Sequence, residues 1–542
     1  MTTANKNKVI SLILIAFIGG ALLYTLRSLG SWYIDDAAIS LAYARNFMRG
    51  LGFVAQVGDC PVEGFSNPLM VLIEACVMKL FGYISLSIPR GITCLLFVIL
   101  VCHIFFKYRG NPYLANKWYL SILLVILQPA VSIWSLSGLE NGLLVFLLFE
   151  LLIQLTEKDN GNPWKISLIS TALALTRPDA ILFTLAYPIT VCLKNYKQHQ
   201  IPIMSILKSF VIVGIVYGGY LLFRISYFGS IVPNTYYAKA LPTFVSVKEL
   251  LILGPEMRNR IFSALFAFWG TATPWILLTV AFVLYIKREH IRSWLCDNIA
   301  LFVVFGISLF IYAYLPNDWM PYHRFATAFF VSGYVLFTFS ILQRTPTIQR
   351  LFCIVAILCI CVSNFILGTK GFLNIKPIEV FHVQARGDYF YRWGQYLGIE
   401  KPLLMTADAG GILWDEKVRL LDLGMLCDST IARCLGEYHS LPNHEKFYEY
   451  VLNERKPDFI ATRAYHSYIA RLELDKRFIS DYVPIHQYID TWILNRYNCT
   501  MHSGDYVRRD LIIGKEQIFK KIQEESQAIY YPFDYKLIRQ KE

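Results

Sequence analysis

Two adjacent carboxylates, Asp35 and Asp36, lie in the stretch SWYIDDAAISLAYARNFMRGLGF, directly after the first strongly apolar run. Neighbouring negative charges at a bilayer edge repel each other and add nothing to lipid packing, and polar residues at that depth usually mark a site. From Asp36 onward Ile39, Tyr43 and Phe47 recur at i, i+4 and i+8, and Gly50 stops the run, the pattern of a short amphipathic helix. The helix dipole is expected to keep both carboxylates ionised. One aspartate suffices to cap a helix. An ionised carboxylate also does the work of a general base, taking a proton from a hydroxyl. Adjacent helical residues point ~100° apart, so only one of the pair can lie on that line. Asp35, nearer the end of the first span, is the expected base. Asp36 is then left to orient the acceptor, cap the helix or hold a cation.

Five more polar motifs interrupt the apolar chain: PVEGFSNPL (61–69), SGLEN (137–141), TRPDA (176–180), PNTYYAK (233–239) and NDWMPYHRF (317–325). In TRPDA, Pro178 favours a non-helical joint at Arg177. Arg177 either pairs with Asp179 to close a hairpin or binds a ligand directly. His323 and Arg324 precede an apolar helix, and guanidinium forks match phosphate oxygens, although an arginine there also anchors lipid headgroups. Lys239 is a further cation for the same phosphate, unless it only snorkels. Glu63, Asn67, Glu140, Tyr236, Asp318 and Trp319 are left to line a cavity or contact an acceptor. Glu63 and Glu140 could also hold a divalent cation, which stays open; no other cofactor is called for. There is no Gly-rich phosphate loop, no HExxH and no paired CxxC.

The elements that must carry these residues are membrane spans. The chain of 542 residues is 55% hydrophobic and 17% charged, against about a quarter charged in soluble domains, and its mean hydropathy is +0.44. The formal charge of +12 resides in short basic loops, so it reports orientation and excludes a nucleic-acid partner. The run 9–29 after Lys6 and Lys8 reads as a retained helix with a cytoplasmic N-terminus. Further spans are expected at 91–107, 118–136, 139–157, 164–177, 179–194, 202–228, 264–287, 297–315, 323–342 and 349–368, eleven in all. Alternation then keeps Lys107, Arg109, Lys117, Lys194, Lys287 and Arg344 inside. It requires 66–83 to be re-entrant or interfacial, because counting it as a span would export the loop 107–117. Residues 1–371 form the membrane domain. Residues 372–542, with short apolar stretches in PLLMTADAGG, VRLLDLG, PDFIATRA and YVRRDLIIG and a helix-like stretch at 443–455, read as an outer α/β domain. Most of the twelve cysteines fall in spans. Cys427 and Cys434, outside, are close enough in sequence to pair or to remain free.

With this orientation the six polar motifs fall on the outer side and imply an outward-facing cavity. A transferase working there needs a donor that is already outside, and a lipid-linked sugar phosphate meets that need. In sequence and order the motifs from DDAAISLAYARNFMRGLGF to NDWMPYHRF resemble the polyprenyl-phosphate-sugar-dependent glycosyltransferases of the GT-C fold. Within them the chain is most similar to the terminal arabinofuranosyltransferases of the mycobacterial cell envelope. DAGGILWDEKVRLLDLGMLCD and PDFIATR also resemble that group's outer domain. The resemblance implies inverting transfer, arabinofuranose first, from a polyprenyl-phosphate donor to an envelope glycan or glycoconjugate at the outer face of the inner membrane. It further implies that one aspartate of the pair is the base, with 35–50 and 66–83 as interfacial helices beside the cavity. His323 stands where that group is expected to carry a small residue. A transporter or flippase of lipid-linked sugars is the rival reading, though the inner loops carry only simple basic residues. A non-enzymatic envelope receptor would leave Asp35 and Asp36 without a purpose.

Overall fold

The computed structural model describes residues 3–157, 161–195, 201–239, 295–315, 320–341, 347–436 and 442–539. Among them four helices are long and apolar enough to cross a membrane: Asn5–Leu29, Ile88–Lys107, Ile203–Phe228 and Ile354–Asn374. Pro112–Ile126 and Pro129–Ser135 make a fifth if this pair, bent by 83°, is one span. Shorter apolar helices, Asn141–Leu155, Ile299–Tyr314 and Arg324–Phe339, pack beside them. The chain is therefore a multi-pass helical protein with a separate C-terminal domain of helices and strands. The expected span 264–287 lies outside the described residues.

Proline sets many of the boundaries. Pro68, Pro112, Pro129 and Pro163 stand in the first turn of their helices, where a missing N–H leaves no bond unmade. Pro129 also forces the residue before it into extended backbone. Gln128 takes φ −82° and ψ 114°, so the expected straight span 118–136 turns sharply there. Arg177, before Pro178, is extended in the same way at φ −152° and ψ 138°, and the expected joint is present.

Two short helices lie beside the site. Pro68–Phe81 has 14 residues, and at ~1.5 Å per residue it falls short of a hydrocarbon core ~30 Å thick. Asp35–Met48 is the helix foreseen after the first span, but it differs in setting. Most of its residues, including Ile39 and Tyr43, are buried, and only Phe47 among its large apolar side chains is exposed. It is packed between Pro68–Phe81 and the Gly410–Asp415 helix of the C-terminal domain.

That domain is built on a five-stranded sheet: β1 (Leu403–Thr406), β2 (Arg419–Asp422), β3 (Phe459–Thr462), β4 (Tyr482–Ile489) and β5 (His502–Arg508). The order is β2-β1-β3-β5-β4. β1 runs parallel to β2 and β3, while β5 is antiparallel to β3 and β4. The apolar stretches foreseen in the sequence supply β1, β2, β3 and the end of β5, and 443–455 is helical as expected. β4 was not foreseen. It is an edge strand with Tyr482 and Ile485 buried, and its bulge follows Pro484, which edge strands tolerate. Ala38 and Leu41 of the membrane part share one apolar cluster with Val380, Val383, Ile412 and Leu413 of the C-terminal domain.

Candidate active site

The Asp35–Met48 helix grips the Gly410–Asp415 helix at both ends. Asp35 Oδ2 and Oδ1 accept from the amides of Gly410 and Gly411 at 2.8 and 2.7 Å. Arg45 donates to the carbonyls of Trp414 and Leu413 at 2.7 and 2.9 Å and pairs with Glu416 at 3.1 Å. A carboxylate at the amide end and a guanidinium at the carbonyl end complement the orphan backbone groups of a short helix. Glycine is required at the contact: a Cβ on Gly410 would lie 1.9 Å from the Asp35 carbonyl oxygen. Asp35 is 4% exposed. Burial, with Asp408 and then Asp36 adding, pushes its carboxyl up to about 8 against the pull of the glycine amides. The expected dipole effect is therefore outweighed by desolvation.

Asp36 differs. It is half-buried, and its carboxylate has no hydrogen-bond or ion-pair partner among the described residues. One turn on, Ser40 donates to Asn67 at 3.2 Å, and Asn67 Nδ2 donates to Glu140 at 3.3 Å. Glu140 in turn accepts from Arg177 Nη1 at 3.0 Å, while Arg177 Nε reaches Asp179 at 3.1 Å. Arg177 and Arg324 both stack on Phe325, at 4.8 and 4.7 Å from the ring centre. Asn141 closes the group by donating to Thr327 Oγ1 at 2.8 Å. Five of the six polar motifs are thus joined by one run of contacts. Of the two alternatives the sequence left for Arg177, the structural pairing with Asp179 is present.

The other expected residues are placed as follows. Glu63 is buried against Arg224, whose Nε is 2.7 Å away, and Tyr220 also donates to it. Asn234 donates its amide to the Glu63 carbonyl at 3.0 Å and its side chain to the carbonyls of Met425 and Leu426, both at 2.9 Å. This ties PNTYYAK to the C-terminal domain. Tyr236 is half-buried and Lys239 is exposed at the end of the Asn234–Lys239 helix. No hydrogen bond or ion pair among the described residues joins Lys239 to Arg324. His323, with a left-handed backbone at φ 49°, sits 2.9 Å from the Tyr312 hydroxyl through Nδ1. Asp318 and Trp319 lie outside the described residues. Among the described residues no group of three or more His, Cys, Asp or Glu side chains is placed to hold a metal ion. Cys427 and Cys434 are both free.

Sequence reasoning missed several residues. Arg90 donates to the carbonyls of Leu136 and Gly30, each at 2.6 Å, and to that of Trp32, fixing the loop that leads into Asp35. Glu74 is fully buried with neither oxygen hydrogen-bonded. Asp408 follows β1, and its Oδ2 accepts from Arg386 Nη1 at 2.6 Å, while Arg386 Nη2 reaches Thr406 at 3.0 Å. The one signal for it was an aspartate between a strand and paired glycines in TADAGG. Comparison with known proteins returns no matching family model, no matching curated protein and no matching solved structure.

Proposed function

We propose that the chain is an eleven-span GT-C glycosyltransferase, with its N-terminus in the cytoplasm and its C-terminal domain outside the inner membrane. It moves a sugar, arabinofuranose being the first to test, from a polyprenyl-phosphate donor to an envelope glycan. The observation that carries this reading is the run of contacts from Ser40, one turn after Asp36 on the same helix, through Asn67 and Glu140 to Arg177 and Arg324. An unpartnered carboxylate lies one turn before one end, and guanidinium groups stand at the other. Those are the two demands of the reaction: a base for a hydroxyl and a cation for a departing phosphate.

In this reading Asp36, not Asp35, is the base, because both Asp35 oxygens are taken by glycine amides. The acceptor hydroxyl oxygen attacks the anomeric carbon from the face opposite the phosphate, and its proton passes to the Asp36 carboxylate. The bond from that carbon to the phosphate oxygen breaks, and its electron pair leaves with the polyprenyl phosphate. Arg324, with His323 beside it, meets the phosphate charge; Arg177 is already neutralised by Glu140 and Asp179. Asp35 and Arg45 hold the base-bearing helix against the outer domain.

The test is turnover by the purified protein in detergent, supplied with polyprenyl-phosphoryl arabinofuranose and an envelope glycan extract. Acceptor-dependent release of polyprenyl phosphate, lost in Asp36→Asn, is the expected result. Movement of the intact lipid-linked sugar across proteoliposomes without release would replace the transferase with a transporter.

A further inference from the structure

The outer domain contains a second polar place that the transfer chemistry does not use. The chain leaves β1, forms β2 on one side of it, and returns to form β3 on the other. Between β1 and β3 the winding reverses, and in open α/β sheets ligands enter at that point, beyond the carboxyl ends of the strands. Three side chains stand there. Asp408 follows β1, His466 belongs to the Ala464–Ala470 helix after β3, and Arg386 reaches in from the Val380–Leu397 helix. Asp408 acts electrostatically on both the Asp35 carboxyl and the His466 ring. The Asp35 contact with Gly410 and Gly411 therefore presses this crevice against the start of the helix that carries Asp36.

We propose that the crevice between β1 and β3 is the acceptor subsite and binds a neutral oligosaccharide through Asp408, Arg386 and His466; this rests on the transferase reading above. The charge balance argues for a neutral ligand. Arg386 is already matched by Asp408 at 2.6 Å, so a phosphate would find no surplus cation there. The hydrogen-bonding capacity suits sugar hydroxyls, which both donate and accept. Asp408 Oδ1 has no hydrogen-bond partner among the described residues, since Arg386 uses only Oδ2. The half-buried His466 ring likewise has none, although Tyr465 lies edge-on to it at 5.5 Å. Burial holds that imidazole below its ordinary value, so at neutral pH one nitrogen donates and the other accepts.

The experiment uses the full chain in nanodiscs, with a panel of neutral pentose and hexose oligosaccharides, and reads binding by saturation-transfer NMR. Polyprenyl phosphate release is measured in parallel. His466→Ala breaks no hydrogen bond made by the ring among the described residues, and should weaken binding of the retained oligosaccharide by about ten-fold, as loss of one or two hydrogen bonds would. His466→Gln, which keeps a donor and an acceptor, should recover part of it. In kinetics the rise should fall on the acceptor KM and not on the donor KM. Unchanged binding in His466→Ala and in Asp408→Asn would overturn the subsite, while continuing acceptor-dependent release would leave the transferase reading intact. Wild-type protein that releases polyprenyl phosphate yet binds no neutral oligosaccharide would also overturn it. Absence of release with any acceptor would instead sink the underlying function.

Discussion

The membrane-level network and the crevice of the C-terminal domain differ in how completely their polar groups are matched. In the network Arg177 is matched by Glu140 and Asp179, Arg224 by Glu63, and Arg90 by three backbone carbonyls. Around the crevice the Asp36 carboxylate, one oxygen of Asp408 and the His466 ring have no hydrogen-bond partner among the described residues. A buried pair fixes geometry, because removing one member strands the other. A half-exposed group without a partner keeps its capacity for a ligand. Within the network Glu74 is the exception, buried with both oxygens unbonded. The comparison divides the polar residues into those that are matched within the fold and those proposed to meet a substrate, and mutation can separate them.

The largest effect should come from the second class. Asp36→Asn keeps size and removes basicity, and turnover should fall by about 10²–10⁴-fold with the melting temperature unchanged. A dead Asp35→Asn beside an active Asp36→Asn would reverse the comparison and make the buried carboxylate the base. In the first class, Arg177→Ala should destabilise by about 3–5 kcal/mol, because Glu140 is left charged and dry. Adding Glu140→Ala should recover part of that loss. A strictly additive double variant, followed by thermal unfolding, would show that the pair does not hold the joint. Arg324→Ala should weaken donor binding by about 1.5–3 kcal/mol, the range of a charge-assisted contact. Unchanged donor affinity would reduce Arg324 to a stacking partner of Phe325.

Much of this arrangement was legible in the sequence, and the reason is composition. Polar residues at the ends of apolar runs stand out, so the motifs around Asp35, Glu63, Glu140, Arg177, Asn234 and Arg324 were found without knowing how they meet. Apolar stretches as short as LLMT and FIAT were sufficient for the central strands. The joint at Arg177 was readable from Pro178, and the same rule applied at Pro129 would have revealed the bend at Gln128. The partner of Asp35 was not readable. It consists of two backbone amides some 375 residues away, and amides leave no side-chain signature. The expectation favoured Asp35 as the base, and the proposal of Asp36 rests on that unreadable contact. Adjacent helical residues must point apart, but which one meets the C-terminal domain depends on a docking that no local pattern encodes.

The smallest expected effect tests that docking through pH. Folding raises the Asp35 carboxyl from its ordinary value of 3.8 to about 8, so between those limits the folded state holds a proton that the unfolded state has released. Stability therefore falls as pH rises from about 4 to about 8. The groups that set this are Asp408 and Asp36, whose negative charges favour the proton, and the Gly410 and Gly411 amides, which oppose it. Asp35→Asn cannot titrate, so its unfolding free energy should lose this share of the slope, at most about 1.4 kcal/mol per pH unit for one proton. Some slope should persist, because Asp422, buried in the C-terminal domain, is likewise pushed up to about 7. Asparagine also presents one oxygen to two amides, so the variant should be less stable throughout. Parallel stability curves for wild type and Asp35→Asn between pH 4 and 8 would mean that Asp35 stays ionised against the glycine amides. A charged Asp35 would then stand beside Asp36 as an equal candidate for the base, and the division between holding and reacting carboxylates would fail at the residues where it begins.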